Sequence, residues 1–371
     1  MSTFGTLFRG ETTVDFVGQA KRWFTVSGMV LFLCLASLAI RNLNLSIDFT
    51  GGTSIEVPNP AGASIEDIRT ALGDQGPTAR VQLIDDGESV RVQTDAVDLA
   101  TEQALVVDLV GATGATVESS NVNSVGPTFG QQIAQRALLA LGVFLAVVVV
   151  FITIRFEWKM AVSAIAALFH DLLITFGAYS ILGFEVTPAT VVAILTILGY
   201  SLYDTVVVFD KIKENVAEDQ NRDTYTDIVN LSMNQVLMRS INTSLTSLLP
   251  VGSLLFIGSF LLGAGTLREF ALALFVGIAA GTYSSIFIAS PMLALWKETE
   301  DEWSRRRYRV GKKAERSSDS EIAEISEDSI SPASTLTAKP RLSSRGQKET
   351  TAPPNDRPTG ATPRPPKKRK R

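Results

Sequence analysis

Residues 199–215 read GYSLYDTVVVFDKIKEN, and they set a carboxylate, Asp204, inside a run that otherwise has the composition of a lipid-soluble helix. ATVVAILTIL (189–198) leads into it, and TVVVF (205–209) continues it before Asp210 and Lys211 return the chain to water. An ionised Asp near the middle of a spanning helix costs about 2.5–3.5 kcal/mol on insertion scales. A chain that keeps one there needs a partner for it or a use for it.

A spanning helix needs ~20 mostly apolar residues. Windows of that kind lie at 24–40, 137–154, 160–182, 189–209, 243–262 and 270–296. The charged fraction of 19% would suit a soluble protein, but its distribution along the chain does not. The sequence therefore predicts a polytopic α-helical membrane protein with six transmembrane helices. The first window is short enough to suit a signal peptide core, yet no A-x-A site follows it, so it reads as an uncleaved anchor.

Lys and Arg set the orientation. Lys21 and Arg22 precede the first window, Arg155 and Lys159 fill the link RFEWK, and Lys211, Lys213 and Arg222 follow the fourth window. By contrast, GFEVT carries only Glu185, and residues 41–136 contain no Lys; Arg268 is the one exception. Both termini, 1–23 and 297–371, are expected in the cytoplasm, with 41–136 forming an extracytoplasmic domain.

That domain reads as β-α-β-β-α-β. LNLSIDF and Thr53–Val57 alternate, joined or bulged at Gly51–Gly52. SIEDIRTALGDQG has Ser64 as N-cap with Asp67 three residues on, a short amphipathic helix. ARVQLIDD and ESVRVQT alternate around Asp86–Gly87 as a hairpin, Asp98 caps a second helix, and a last strand stops at Gly126–Pro127. The order predicts an α+β ferredoxin-like sandwich with one sheet face uncovered.

Beyond Arg309, Ser, Pro, Thr, Glu and Lys dominate with no apolar period, the composition of a disordered tail. It ends in KKRKR, which is equally consistent with contact to anionic lipid, to ribosomal RNA or to nothing. Cys34 is the only cysteine, which excludes an intramolecular disulfide and any Cys-based metal cluster. No Walker loop, dinucleotide fingerprint or hydrolase triad is present, so neither an enzyme nor a cofactor is expected.

Two readings of Asp204 stay open from the residues alone. It glues one helix to a neighbour, or it is a protonatable site in an ion path, with Tyr200, Ser201 and Thr205 as polar neighbours. Arg239 heads the fifth window with Thr243 one turn later on the same face; it reads equally as a headgroup anchor or as the cation that switches Asp204 between paired and unpaired states. His170–Asp171, holding the only His, reads as a satisfied polar pair or a secondary relay, and a lone His argues against zinc. In the last window Ala273, Gly277, Gly281, Ser285 and Ala289 recur every fourth residue, a stripe for close helix packing.

IDFTGGT (with Asp48, Gly51 and Gly52) after the first window resembles the SecF family of protein-export membrane subunits, as do GPTFG, RFEWKMA, HDLLIT, LTILGYSLYDTVVVFDKIKEN, TSLTSLL and GTYSSIFIASP in order. The likeness runs from about Asn44 to Pro291 and departs at both tails. It implies a six-helix half of an RND-type transporter that works with SecD, the SecYEG channel and the SecA motor, with protons as coupling ion and a translocating preprotein as cargo. It also implies that the family's proton-path residues fall on Asp204, Arg239 and Thr243. Tyr203 stands where the family most often has Asn, and Ser240 where it has Thr. A stand-alone proton-coupled exporter and a purely structural channel stabiliser are the rival readings.

Overall fold

The computed structural model describes residues 14–84, 87–219, 222–258 and 265–313; the basic end of the tail lies outside the described residues. Among the described residues six helices are long and apolar enough to cross a membrane: Ala20–Arg41 (α1), Pro127–Arg155 (α5), Trp158–Leu182 (α6), Pro188–Glu218 (α7), Tyr225–Gly258 and Arg268–Lys297. The fifth comprises α8 (Tyr225–Ser253) and a π-helical turn, Leu254–Gly258. The sixth comprises α9 (Gly265–Ser284), a π-helical turn at Ser285–Ala289, and α10 (Ser290–Lys297).

Several helices extend past their apolar windows. α5 starts ten residues before Ala137, because Gly126–Pro127 gives a helix start: Pro at the first helical position loses no bond the helix needs. α7 starts from a Thr187–Thr190 capping box, and α8 from one between Thr224 and Asp227. Residues 301–313 are helical in the structure, so helix runs a few residues past Arg309, where the composition of a disordered tail begins. Trp303 anchors this helix: it is buried edge-on against Tyr225, with ring centroids 4.7 Å apart.

Between α1 and α5 lies the α+β domain. Its elements are β1 (Asn44–Leu45), α2 (Ile47–Thr50), β2 (Gly52–Pro58), α3 (Ile65–Ala71), β3 (Arg80–Ile84), β4 (Ser89–Thr94), α4 (Leu99–Thr113) and β5 (Asn121–Val125). The antiparallel sheet runs β3-β4-β2-β5, the split βαβ order. Ile55, Val57, Val81, Val90 and Val92 alternate onto the face covered by α3 and α4, against Ile68, Leu72, Leu105 and Leu109. The period of two puts Glu56, Arg91 and Gln93 on the opposite face, and that face is not left open: it meets the end of the helical bundle through Glu185 and Glu269.

The stretch LNLSIDF alternates like a strand but is not one beyond Leu45. Asn44 and Leu45 pair in parallel with β6 (Glu185–Val186), after which Ser46 opens one helical turn, closed by the amide of Gly51 bonding to the carbonyl of Ile47. Among the described residues no strand lies beside 47–50, and Ile47 and Phe49 bury themselves as a turn instead. Gly51 and Gly52 then sit at φ 75° and 129°, where a side chain at Gly51 would strike Pro127 and one at Gly52 the carbonyl of Thr94.

The stripe on the last span packs on α7. A Cβ at Gly277 would lie 2.3 Å from Ile197, and one at Gly281 would lie 2.8 Å from Cβ of Ser201. With little hydrophobic force between helices in lipid, such close backbone approach supplies the attraction. Gly281→Ala is expected to destabilise the protein by about 1–3 kcal/mol through overpacking. Gly142→Ala on α5, where nothing lies within 4 Å, is expected to gain about 0.5–1 kcal/mol from helix propensity. Thermal unfolding of the two variants in detergent, compared with the parent, checks the opposite signs.

Candidate functional site

Asp204 and Asp171 both lie well inside helices long and apolar enough to span a membrane. At 1.5 Å per residue Asp204 is about 24 Å along α7, and Asp171 is about 20 Å along α6. Both are buried, at 5% and 0% exposure, yet their surroundings differ.

Asp171 is held on both oxygens. Nδ1 of His170 lies 3.2 Å from Oδ1, while the hydroxyls of Ser201 and Ser284 donate to Oδ2 at 2.6 and 2.9 Å. Nε2 of His170 lies 3.2 Å from Oγ of Ser27 on α1, which itself lies 3.2 Å from Oη of Tyr283. Three neighbouring helices thus bond to one α6 dipeptide. Gly281 makes this reach available, because it lets α7 and α9 approach until Ser201 and Ser284 share one carboxylate oxygen.

Asp204 is held on one side only. Ser240 of α8 donates to Oδ1 at 2.7 Å, and Oδ2, buried, has no hydrogen-bond partner among the described residues. Thr205 next to it faces the other way, 2.8 Å from Oγ of Ser285 at the π-helical turn. Tyr200 accepts from Ser247 at 3.3 Å.

Arg239 does not pair with Asp204 in this conformation. Its Nη2 donates to Oη of Tyr203 at 2.9 Å, and the guanidinium lies 6.0 Å from the centre of that ring. Tyr203 is 51% exposed, one position from Asp204 on the helix, so it draws the cation off the carboxylate toward the outer surface of the bundle. Thr243 is occupied too: its hydroxyl donates to the carbonyls of Arg239 and Ser240, both at 3.0 Å.

A second charged assembly was not legible along the chain. Arg91 on β4 reaches Glu56, Glu185 and Glu269 at once. Its members come from four separate elements, and the only local hint was that Glu185, Arg268 and Glu269 interrupt otherwise apolar surroundings.

Comparison with known proteins bears directly on this arrangement. A model described as "Protein export membrane protein SecD/SecF, C-terminal" matches residues 106–299, and one described as "SecD/SecF GG Motif" matches 36–58, the segment holding Gly51 and Gly52. The chain belongs to the SecD/SecF family. "Protein translocase subunit SecF" of Streptomyces coelicolor is 45% identical over 336 residues, covering 88% of this chain and 90% of that one. The subunit of the same description from Mycobacterium tuberculosis is 42% identical, covering 80% and 70%. Among solved structures, SecDF from Thermus thermophilus, titled a translocon-associated membrane protein, superposes with a TM-score of 0.70 at 34% identity. That match covers 78% of this chain but 39% of the SecDF chain.

As a SecD/SecF family member the chain is a multi-pass protein of the bacterial cell membrane, a transport protein and not an enzyme. Within that frame the two buried acids are expected to respond differently to the same isosteric change. Asp171→Asn sets an amide NH2 where hydroxyl or imidazole donors point, losing charge-assisted bonds of about 1.5–3 kcal/mol each. Asp204→Asn keeps the bond from Ser240 and sets its amide NH2 where the second oxygen already lacks a partner, so it loses no bond and its stability should stay close to the parent's. Melting midpoints in detergent give the order; Asp204→Asn melting below Asp171→Asn would contradict it.

Proposed function

We propose that this chain is the SecF-type subunit of a SecD-containing export complex, and that Asp204 is its proton-loading site. One observation carries the proposal: a carboxyl group inside a spanning helix with a buried oxygen unpartnered among the described residues, one position along the helix from a tyrosine that holds a guanidinium. A purely structural Asp would resemble Asp171, with a partner on both oxygens. Intramembrane acids are costly, and a half-satisfied one is retained where a proton has to come and go.

In this reading the conformation described is the loaded one. The neutral carboxyl accepts from Ser240 through Oδ1 and carries its proton on Oδ2, while Arg239 rests on Tyr203. Release of the proton leaves a carboxylate that draws Arg239 off Tyr203, since a fixed guanidinium is the available counter-charge and cannot itself deprotonate. Thr243, bonded to the backbone beneath Arg239 and Ser240, keeps that turn of α8 in place as the side chain swings. Each cycle repacks α7 against α8.

Orientation follows the Lys and Arg asymmetry, with both termini cytoplasmic and the α+β domain outside. SecD supplies the other half of the transporter, against the surface where Tyr203 and Arg239 are exposed. The complex acts with SecYEG and SecA, drawing the proton gradient into the late stages of preprotein export, and the basic tail end contacts anionic lipid.

The test is export into vesicles bearing SecYEG, SecA, the SecD partner and this chain, with and without a proton gradient. Asp204→Asn is expected to lower export to the level seen without a gradient, leaving the ATP-driven part intact, while Asp204→Glu restores part of the gain. Full stimulation by Asp204→Asn at normal expression would end the proposal and favour a structural role.

A further inference from the structure

Where the α+β domain meets the bundle, one guanidinium faces three carboxylates. Nη1 of Arg91 lies 3.2 Å from Glu185 and 3.4 Å from Glu269, and Nη2 lies 3.2 Å from Glu56. The side chains of Arg91, Glu185 and Glu269 are 11%, 7% and 7% exposed; Glu56, at the rim, is 36% exposed. Gln93, the next residue on that face of β4, donates to the other oxygen of Glu185. The cluster borders a cleft of about 540 Å³ between domain and bundle.

The remaining charged and titratable groups around it come from every neighbouring element. Arg80 of β3 bonds Asn44 and acts on Glu185 from further off, as does Asp48 of α2. Arg268 of α9 stacks over Phe184, and the hydroxyl of Tyr179 on α6 donates to the carbonyl of Glu269. None of these brings a second cation into contact with Glu185 and Glu269 together.

We propose that Glu185 and Glu269 bind one proton between them, at a site separate from Asp204, and that its occupancy holds the α+β domain on the bundle. Fully ionised, the cluster would set three negative charges against the one on Arg91, with Glu185 and Glu269, both largely buried, touching the same nitrogen. Two carboxylates that share a site do not both ionise readily. Burial, working against the attraction of Arg91, already holds the carboxyl of Glu185 above the usual range. The guanidinium stays charged: burial opposes it, but Glu185, Glu269 and Glu56 together raise its pKa.

Linkage then gives the domain a pH response. Undocking removes Arg91 and Glu56 and returns the two acids to water, where a Glu titrates near about 4.3. The docked state therefore binds the extra proton. Docking strength is fully present below the undocked value and is lost as pH rises through the docked one. Acid outside fastens the domain; alkali loosens it. That the relevant side is the outside rests on the orientation proposed above, whereas the proton site does not.

The experiment uses the full chain with Cys34→Ala in nanodiscs, with no partner present. Nitroxide labels at Gln103 on α4 and Ile181 at the end of α6, both exposed, report the domain-to-bundle distance by double electron–electron resonance between pH 5 and 9. One docked distance is expected at the acid end, with the docked-to-undocked ratio falling by up to about tenfold per pH unit above the midpoint, the limit for one linked proton. Glu185→Gln with Glu269→Gln is expected to stay docked throughout. Should the double variant fail to insert, Glu269→Gln alone leaves one carboxylate facing Nη1 and is expected to shift the midpoint out of the range. A parental distance that ignores pH, or a midpoint unmoved in either variant, overturns the proposal. No readout here involves export or Asp204, so this proposal and the function above stand or fall separately.

Discussion

Lipid offers no hydrogen bonds, so a polar group buried in this bundle must find its partner within the protein. The structure meets that constraint for Asp171 with three donors and for Asp204 with one. The difference between those two carboxyl groups organises the rest. Around Asp171 the helices α1, α6, α7 and α9 are tied into a unit; around Asp204 the ties are fewer, and α8 supplies all that the structure provides. The bundle thus has one closed polar centre and one open one.

Packing and chemistry share the same residues. The small-residue stripe brings α9 within reach of α7, and that closeness is what lets Ser201 and Ser284 meet on Asp171 while Ser285 meets Thr205. The π-helical turn at Ser285–Ala289 falls on this contact. An extra residue in a turn widens the helix there and re-aims its side chains, a geometry often found at functional positions. Stability and polarity are thus set by one interface rather than by separate parts of the chain.

The α+β domain follows a related logic at the bundle's end. Its sheet has an apolar face covered by its own helices and a polar face that would be an ordinary solvated surface in an isolated domain. Here the polar face meets acids from the β6 segment and α9, and its central residue is an arginine, whose planar fork can serve several carboxylates at once. A buried ion cluster of this kind adds little net stability over apolar contacts.

The hydropathy windows, the Lys and Arg asymmetry, the Ser64 capping box, the β3–β4 hairpin and the candidacy of Asp204 were all readable residue by residue, because each depends on local composition or on a period of two or 3.6. The extent of α5 and α8 was not, since a helix continues past its apolar window wherever caps and neighbours permit. LNLSIDF misled because alternation is also what a strand without a partner shows; only the placement of β6 beside Asn44 and Leu45, and of helix α5 rather than a strand beside 47–50, decides the turn. The partner of Arg239 was likewise undecidable from spacing: Tyr203 and Asp204 are adjacent, and which one the guanidinium reaches depends on how α8 is rotated against α7. By itself, then, the sequence determined that a charge is buried in a membrane helix; the tertiary structure alone decided who answers it, because hydrogen bonds between helices are made by geometry that no single segment contains.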